Sequence, residues 1–213
     1  MRPIYLISKT PYEGVIHIPI LTIHFLSPTI DFTDYEGVIF TSKQGVLSLQ
    51  NYSPDWEKLG CICVSESTAK SAREAGAVDV EVGDGYGTTI AEVLESKKRN
   101  GKWLYLRPKV VASEWVSSAR ESGFEIDEAI VYESVCNEEA RDFAVSQDGV
   151  LIFTSPSTIR CFLQNNRILS TQDVVVIGKT TQNALPVEVG SYLSETTSVE
   201  AAVELARQIA FRG

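Results

Sequence analysis

Paired hydroxyl residues recur along the chain at or within three residues of the end of apolar runs: Thr41-Ser42 after GVIF, Ser67-Thr68 after CICV, Thr154-Ser155 with Ser157 after VLIF, and Thr180-Thr181 after VVVI. A Ser or Thr between a strand and a helix caps the helix, its side-chain oxygen accepting from an unpaired backbone N–H, and Pro156 suits a helix start. The same helix ends carry free N–H groups and the positive pole of the helix dipole, so they also suit an anion. In open α/β sheets such ends gather at the carboxyl edge of the strands, where ligands bind. Arg107 and Lys109 follow another apolar run, WLYL, where a guanidinium and an ammonium fit either carboxylate binding or plain solvation.

Other chemistry is poorly supplied. The two histidines, His17 and His24, share an extended segment with no Asp, Glu or Cys pattern beside them, so neither a metal site nor a Ser-His-Asp triad assembles. Of the four cysteines, Cys61 and Cys63 alternate within an apolar strand, Cys136 follows another, and Cys161 lies in a helical stretch. Without CxxC spacing they read as reduced structural thiols. Residues 83–89, GDGYGTT, miss the GxGxxG spacing because Thr88 stands where the third glycine is needed, and read as a turn with a threonine cap. Glu121, Glu125, Asp127 and Glu128 read as solvated surface. An enzyme with this inventory works without metal, cofactor or histidine.

The elements that must position the hydroxyls repeat. DYEGVIFTS is echoed by SQDGVLIFTS, and the offset from Phe40 to Phe153 also carries Val64-Ser65-Glu66-Ser67-Thr68 onto Ile177-Gly178-Lys179-Thr180-Thr181. A weaker echo pairs Tyr5-Leu6-Ile7-Ser8-Lys9 with Tyr105-Leu106-Arg107-Pro108-Lys109. Each copy alternates β-branched runs with helical stretches at 43–50, 68–74, 89–98 and 114–122, then 157–164, 181–185 and 198–211. That alternation predicts an α/β protein of two domains, each a parallel sheet flanked by helices in the flavodoxin-like or Rossmann-like manner. The first copy has no room for a helix between Lys9 and Val15, where the second has one after Lys109.

Bulk properties narrow the class. The chain has 213 residues, 44% hydrophobic and 22% charged, which is ordinary globular composition. A net charge of −9, with no basic block beyond Lys97, Lys98 and Arg99 at a helix end, makes nucleic acid a poor partner. No apolar run approaches the roughly 18 residues of a membrane span, and the N-terminus lacks a signal-peptide pattern, so a soluble, cytoplasmic protein without membrane attachment is expected.

Four segments together resemble the uroporphyrinogen-III synthase family: GVIFTSKQGV its first strand-and-serine segment, FEIDEAIVYESV the stretch with its characteristic tyrosine, LIFTSPSTIRCFL its second serine segment, and VVVIGKTTQNAL its Ile-Gly-x-Thr-Thr helix start. The resemblance implies a monomeric cyclising lyase of tetrapyrrole (haem) biosynthesis that takes hydroxymethylbilane to uroporphyrinogen III. Ring D is inverted through a spiro intermediate and water is lost. It implies a substrate cleft between two domains, one formed by 1–17 with 137–213 and the other by 25–128, with linker strands at 18–24 and 129–136. It makes Tyr132 the proton donor to the departing hydroxyl, and Thr41, Ser42, Ser67, Thr68, Thr154, Ser155, Ser157, Thr180 and Thr181 the substrate contacts. Lys9, Arg107 and Lys109 are weaker contacts on the same basis. Lys179 and Val64-Ser65-Glu66 depart from the family pattern, Glu66 placing a carboxylate near a carboxylate site. Two other readings stand beside it: a non-catalytic two-domain protein that clamps a small anion, and a phosphate- or nucleotide-using transferase of doubly wound fold.

Overall fold

Short apolar runs without polar alternation are satisfied only where both faces of a strand are covered. In the computed structural model each such run becomes a strand of a parallel-dominated sheet. The structure describes residues 2–52, 54–85, 88–96, 101–111, 115–140 and 143–212. Tyr86 and Gly87 of the glycine-rich segment, the Lys97-Lys98-Arg99 helix end and Glu114 lie outside them. In chain order the strands are β1 (Ile4–Ser8), β2 (Ile16–Pro19), β3 (Leu21–Phe25), β4 (Gly37–Phe40), β5 (Gly60–Cys63), β6 (Asp79–Val82), β7 (Trp103–Pro108), β8 (Ile126–Cys136), β9 (Val150–Phe153), β10 (Asp173–Val176) and β11 (Tyr192–Leu193). The helices are α1 (Lys43–Leu47), α2 (Glu66–Glu74), α3 (Thr88–Ser96), α4 (Trp115–Glu121), α5 (Pro156–Leu163), α6 (Lys179–Gln182) and α7 (Val199–Arg212).

The chain forms two compact units. Unit one, Met1–Thr22 with Val135–Gly213, holds a five-stranded sheet ordered β11-β10-β9-β1-β2, every pair parallel. Unit two, Ile23–Ser134, carries most of a six-stranded sheet ordered β3-β8-β7-β4-β5-β6. The first order repeats the run β6-β5-β4-β7-β8 of the second, so the duplication seen in the sequence is a duplication of topology. Its register is finer than the sequence echo. Phe153 lies beside Ile7, and its repeat partner Phe40 lies beside Leu106. Leu6 beside Ile152 therefore matches Tyr105 beside Ile39, and the echo of Tyr5 with Tyr105 is off by one residue. One residue reverses the face of a strand. Tyr5 points into the cluster with Phe153 and Phe162, whereas Tyr105 points into the one with Ile39, Ile90 and Trp115.

The expected helices form, with shifts that have local causes. The stretch 43–50 stays α-helical only to Leu47, then tightens into a 3-10 turn over Ser48–Asn51, with Ser48 Oγ donating to Gly45 O at 2.6 Å. Helix α2 starts at Glu66 with Ser65 as N-cap, and α6 starts at Lys179 with Gly178 as N-cap. Strands β6 and β11 were not expected: DVEV carries two carboxylates, and Tyr192-Leu193 is exposed.

The loop replacing a helix between β1 and β2 is closed by Tyr12 and Val15, which pack with Leu205 against the cluster of Ile4, Leu6, Val150 and Ile152. Unit two fills the corresponding face with Trp115, Val116 and Ala119 of α4. Gly14 turns the loop at φ 78°, where a Cβ would also lie 2.9 Å from Arg207 Nη2. Gly37 serves close packing, since a Cβ there would collide with the ring of Trp103.

The expectation of four reduced thiols is corrected. Cys136, at the end of β8, is disulfide-bonded to Cys161 on α5 with Cα atoms 5.3 Å apart, a proximity that their separation of 25 residues conceals. Cys61 and Cys63 are free and buried, their sulfurs 3.7 Å apart. Replacing Cys136 and Cys161 together by serine should lower unfolding free energy by about 3 kcal/mol in urea titrations. Alkylation of the unreduced, denatured wild type should label Cys61 and Cys63 alone, and labelling of Cys136 would contradict the bridge.

Candidate functional site

In unit two the carboxyl edge of the sheet is built around the two residues that follow β4. Ser42 has extended backbone at φ −160° and ψ 147°, and its hydroxyl accepts from the Gln44 N–H at 3.2 Å, capping α1. Thr41, one residue earlier, has its Oγ1 2.8 Å from the Tyr105 hydroxyl. Tyr132 of β8 brings a second phenol to this edge, near enough to the side chain of Ser42 for that hydroxyl to lower its pKa. The adjacent hydroxyls thus meet tyrosines from opposite faces of one sheet: Tyr105 lies in the cluster under α3 and α4, Tyr132 in the cluster with Val46, Leu49 and Ala69. Both phenols are buried, at 3% and 6% exposure, and burial pushes the pKa of each above its ordinary value. For Tyr132 the nearby Ser42 side chain offsets part of that rise; for Tyr105, Thr41 and Trp115 do so.

At the next helix start, Ser65, Ser67 and Thr68 form a small hydroxyl group, with Ser65 Oγ 3.1 Å from Ser67 Oγ and 3.3 Å from Thr68 Oγ1. Ser67 is exposed, but Thr68 is only 3% exposed because it lies in the first turn of α2 and faces the core. Glu66 points outward to Arg73 at 2.7 Å, away from this group.

Arg107 and Lys109 already have carboxylate partners. Arg107 Nε is 2.8 Å from Glu128 Oε1, and its Nη1 donates to Pro108 O at 2.9 Å. Lys109 Nζ is 2.7 Å from Glu133 Oε2, whose other oxygen lies 3.5 Å from His24 Nδ1. Lys109 is the main cause holding the Glu133 carboxyl below its ordinary pKa. The acidic cluster expected to be mere solvated surface is partly organised by such pairs: Asp127 accepts from Tyr35 at 2.8 Å and meets Lys102 at 2.8 Å, while Glu128 also meets Arg120 at 3.3 Å.

Unit one repeats the edge with different wiring. Ser155 and Thr158 form a reciprocal capping box at the start of α5, at 3.3 Å and 3.2 Å. Ser157 Oγ accepts from Arg160 at 2.8 Å, and Thr154 Oγ1 turns toward Ile7 O at 3.5 Å. Thr180 is exposed, while Thr181, like its repeat partner Thr68, is nearly buried at 4%. Lys9 is exposed on the loop after β1.

The structure therefore gathers Thr41, Ser42 and Tyr132 at one edge of unit two and Thr154, Ser155 and Ser157 at the matching edge of unit one. It turns Thr68 and Thr181 inward and engages Arg107 and Lys109 with glutamates. Sequence reasoning missed Ser65 and Tyr105. Ser65 had a readable signal in its place just before the helical stretch, whereas Tyr105 looked like any strand tyrosine. Among the described residues no group of three or more His, Cys, Asp and Glu side chains is placed to hold a metal, and no helix is long and apolar enough to cross a membrane.

Edges lined with hydroxyls and helix ends could serve many anions. A family model described as uroporphyrinogen-III synthase HemD matches residues 13–204. The chain belongs to the uroporphyrinogen-III synthase family. Its fold agrees with a crystal structure of uroporphyrinogen-III synthetase from Helicobacter pylori 26695, at 26% identity over 98% of this chain and 100% of that one, with a TM-score of 0.79. A mutant uroporphyrinogen III synthase from the extremely thermophilic bacterium Thermus thermophilus shares the fold at 14% identity, covering 94% of this chain and 91% of its own, with a TM-score of 0.51. No curated protein is significantly similar in sequence. Within this family member, Ser155→Ala removes one half of the capping box and should cost about 1 kcal/mol of stability, read as a lower urea midpoint.

Proposed function

We propose that this member of the uroporphyrinogen-III synthase family cyclises hydroxymethylbilane to uroporphyrinogen III, inverting ring D and releasing water. The family match over residues 13–204 carries this reading, and the structural agreement across 98% of the chain supports it. The substrate is reactive by itself and closes unaided to the type I isomer, so the protein's task is to hold it where the inverting path is the nearer one. A polycarboxylate is held by many weak donors on fixed elements, which fits hydroxyls and helix N–H groups at sheet edges.

In this reading Tyr132 donates its proton to the hydroxyl leaving the terminal methylene, which departs as water. The electrophilic carbon left behind is attacked by the substituted carbon of ring D, giving the spiro intermediate. That carbon's older bond to the methylene joining rings C and D then breaks, the freed methylene is attacked by the unsubstituted carbon of ring D, and the proton this carbon loses restores the Tyr132 phenol. A phenol is protonated at neutral pH, and burial, which raises the Tyr132 pKa further, keeps it in the donor form. Thr41, Ser42, Ser67, Thr154, Ser155, Ser157 and Thr180 bind acetate and propionate groups, and the buried Thr68 and Thr181 fix the turns that present them. Lys9, Arg107 and Lys109 supply positive potential rather than dedicated pairs. Unit one and unit two serve as the family's two domains, with linker strands at 18–24 and 129–136, and the enzyme works as a cytoplasmic monomer.

Purified protein given fresh hydroxymethylbilane should yield mainly type III product after oxidation and isomer chromatography, and only type I from folded protein would refute the assignment. Tyr132→Phe should slow closure by about 100-fold while leaving uroporphyrinogen III binding within about two-fold. Because the protonated phenol is the active form and its pKa is raised, activity should be lost only as pH climbs past the ordinary tyrosine value of about 10. A pH–rate profile falling well below that point, and unchanged in Tyr132→Phe, would exclude Tyr132 as the acid.

A further inference from the structure

Tyr105 has a feature the family resemblance does not assign. Its ring is held between strand and helix, 5.1 Å from the ring of Trp115 at the start of α4, and its hydroxyl lies 2.8 Å from Thr41 Oγ1. Of the two hydroxyls the phenol is the more acidic and the better donor, so its proton goes to Thr41 Oγ1, the acceptor within reach. A threonine hydroxyl that accepts from the protein side presents its own proton outward, toward the edge where β4 ends. The duplicated unit has no such wiring. Leu6 stands where unit two has Tyr105, and the Thr154 hydroxyl is turned to a backbone carbonyl, Ile7 O.

We propose that Tyr105, its ring packed against Trp115, is a positioning residue that fixes the Thr41 hydroxyl as a hydrogen-bond donor to a carboxylate oxygen of the bound tetrapyrrole. The proposal rests on the reading of Thr41 as a substrate contact. It assigns the two copies different work: unit two carries an oriented donor at the end of its central strand, while unit one relies on its capped helix. Tyr105 touches no substrate in this arrangement, so its removal acts on binding and not on the closure step.

The test compares Tyr105→Phe, Thr41→Val and the double variant for KM and kcat with hydroxymethylbilane, each checked by thermal unfolding. Tyr105→Phe, which keeps the ring packing, should raise KM about five-fold, the loss of one neutral hydrogen bond, with kcat within about two-fold. In the Thr41→Val background it should add nothing, while Thr41→Ser should keep the wild-type KM and remain sensitive to Tyr105→Phe. Tyr105→Leu, the residue found at the matching place in unit one, serves as a second variant should the phenylalanine protein unfold. Independent effects of the two substitutions, or a fall in kcat at unchanged KM, would show that Tyr105 acts through packing and overturn the proposal. A raised KM in Thr41→Val with none in Tyr105→Phe sinks Tyr105 alone. An unchanged KM in Thr41→Val removes Thr41 as a contact, and the proposal with it.

Discussion

Strand β1 hydrogen-bonds to β9, joining Ile4–Ile7 to Val150–Phe153 across the length of a whole intervening unit. All four residues of β9 are buried, so they need a covered neighbour on each side, and β10 supplies only one. The N-terminal strand supplies the other. Until it docks, the centre of unit one lacks a row of backbone partners that no local segment can replace, and unpaired buried N–H and C=O groups are costly. Chain order and spatial order therefore part company: the run from residue 16 to residue 25 is divided between the two units, β2 ending at Pro19 and β3 beginning at Leu21. Asn137 secures the crossing by donating from its backbone to Ile20 O at 2.9 Å and from its side chain to Pro19 O at 2.8 Å.

With the ladders in place, the edge chemistry follows. Parallel strands all end on one side, and each helix that follows begins there, so capping residues and free N–H groups collect without any need for sequence proximity. Capping and ligand binding draw on the same atoms, which is why serine and threonine serve both. The two units differ in how far this shared framework has been elaborated. Unit one adds a reciprocal capping box, and unit two adds two buried tyrosines and a set of ion pairs in which Glu128 and Glu133 each serve two cationic or basic partners.

What could be read from the residues divides along physical lines. Apolar runs such as VLIF and VVVI declare doubly covered strands, and hydroxyls after them declare helix starts, so the α/β class, the duplication and the places of Ser42 and Ser155 were legible. Strand β6 was not, because DVEV gains its place from its ladder with β5 rather than from burial. The bridge between Cys136 and Cys161 depends on where β8 ends relative to α5, a tertiary fact. Thr68 and Thr181 looked equivalent to the hydroxyls beside them until the true helix starts, two residues earlier than expected, turned them inward. Arg107 and Lys109 looked like anion ligands because their glutamate partners lie on β8, across the sheet.

The one-residue offset between β1 and β7 also bears on how the halves could be exchanged. Aligning Tyr5 with Tyr105 is the natural choice from the letters alone, yet a recombinant spliced on that alignment would rotate the grafted strand so that its core residues faced the wrong layer of helices. Splicing Leu6 onto Tyr105 would keep the layers and lose the phenol. The modules remain alike in outline while having ceased to be spare parts for one another.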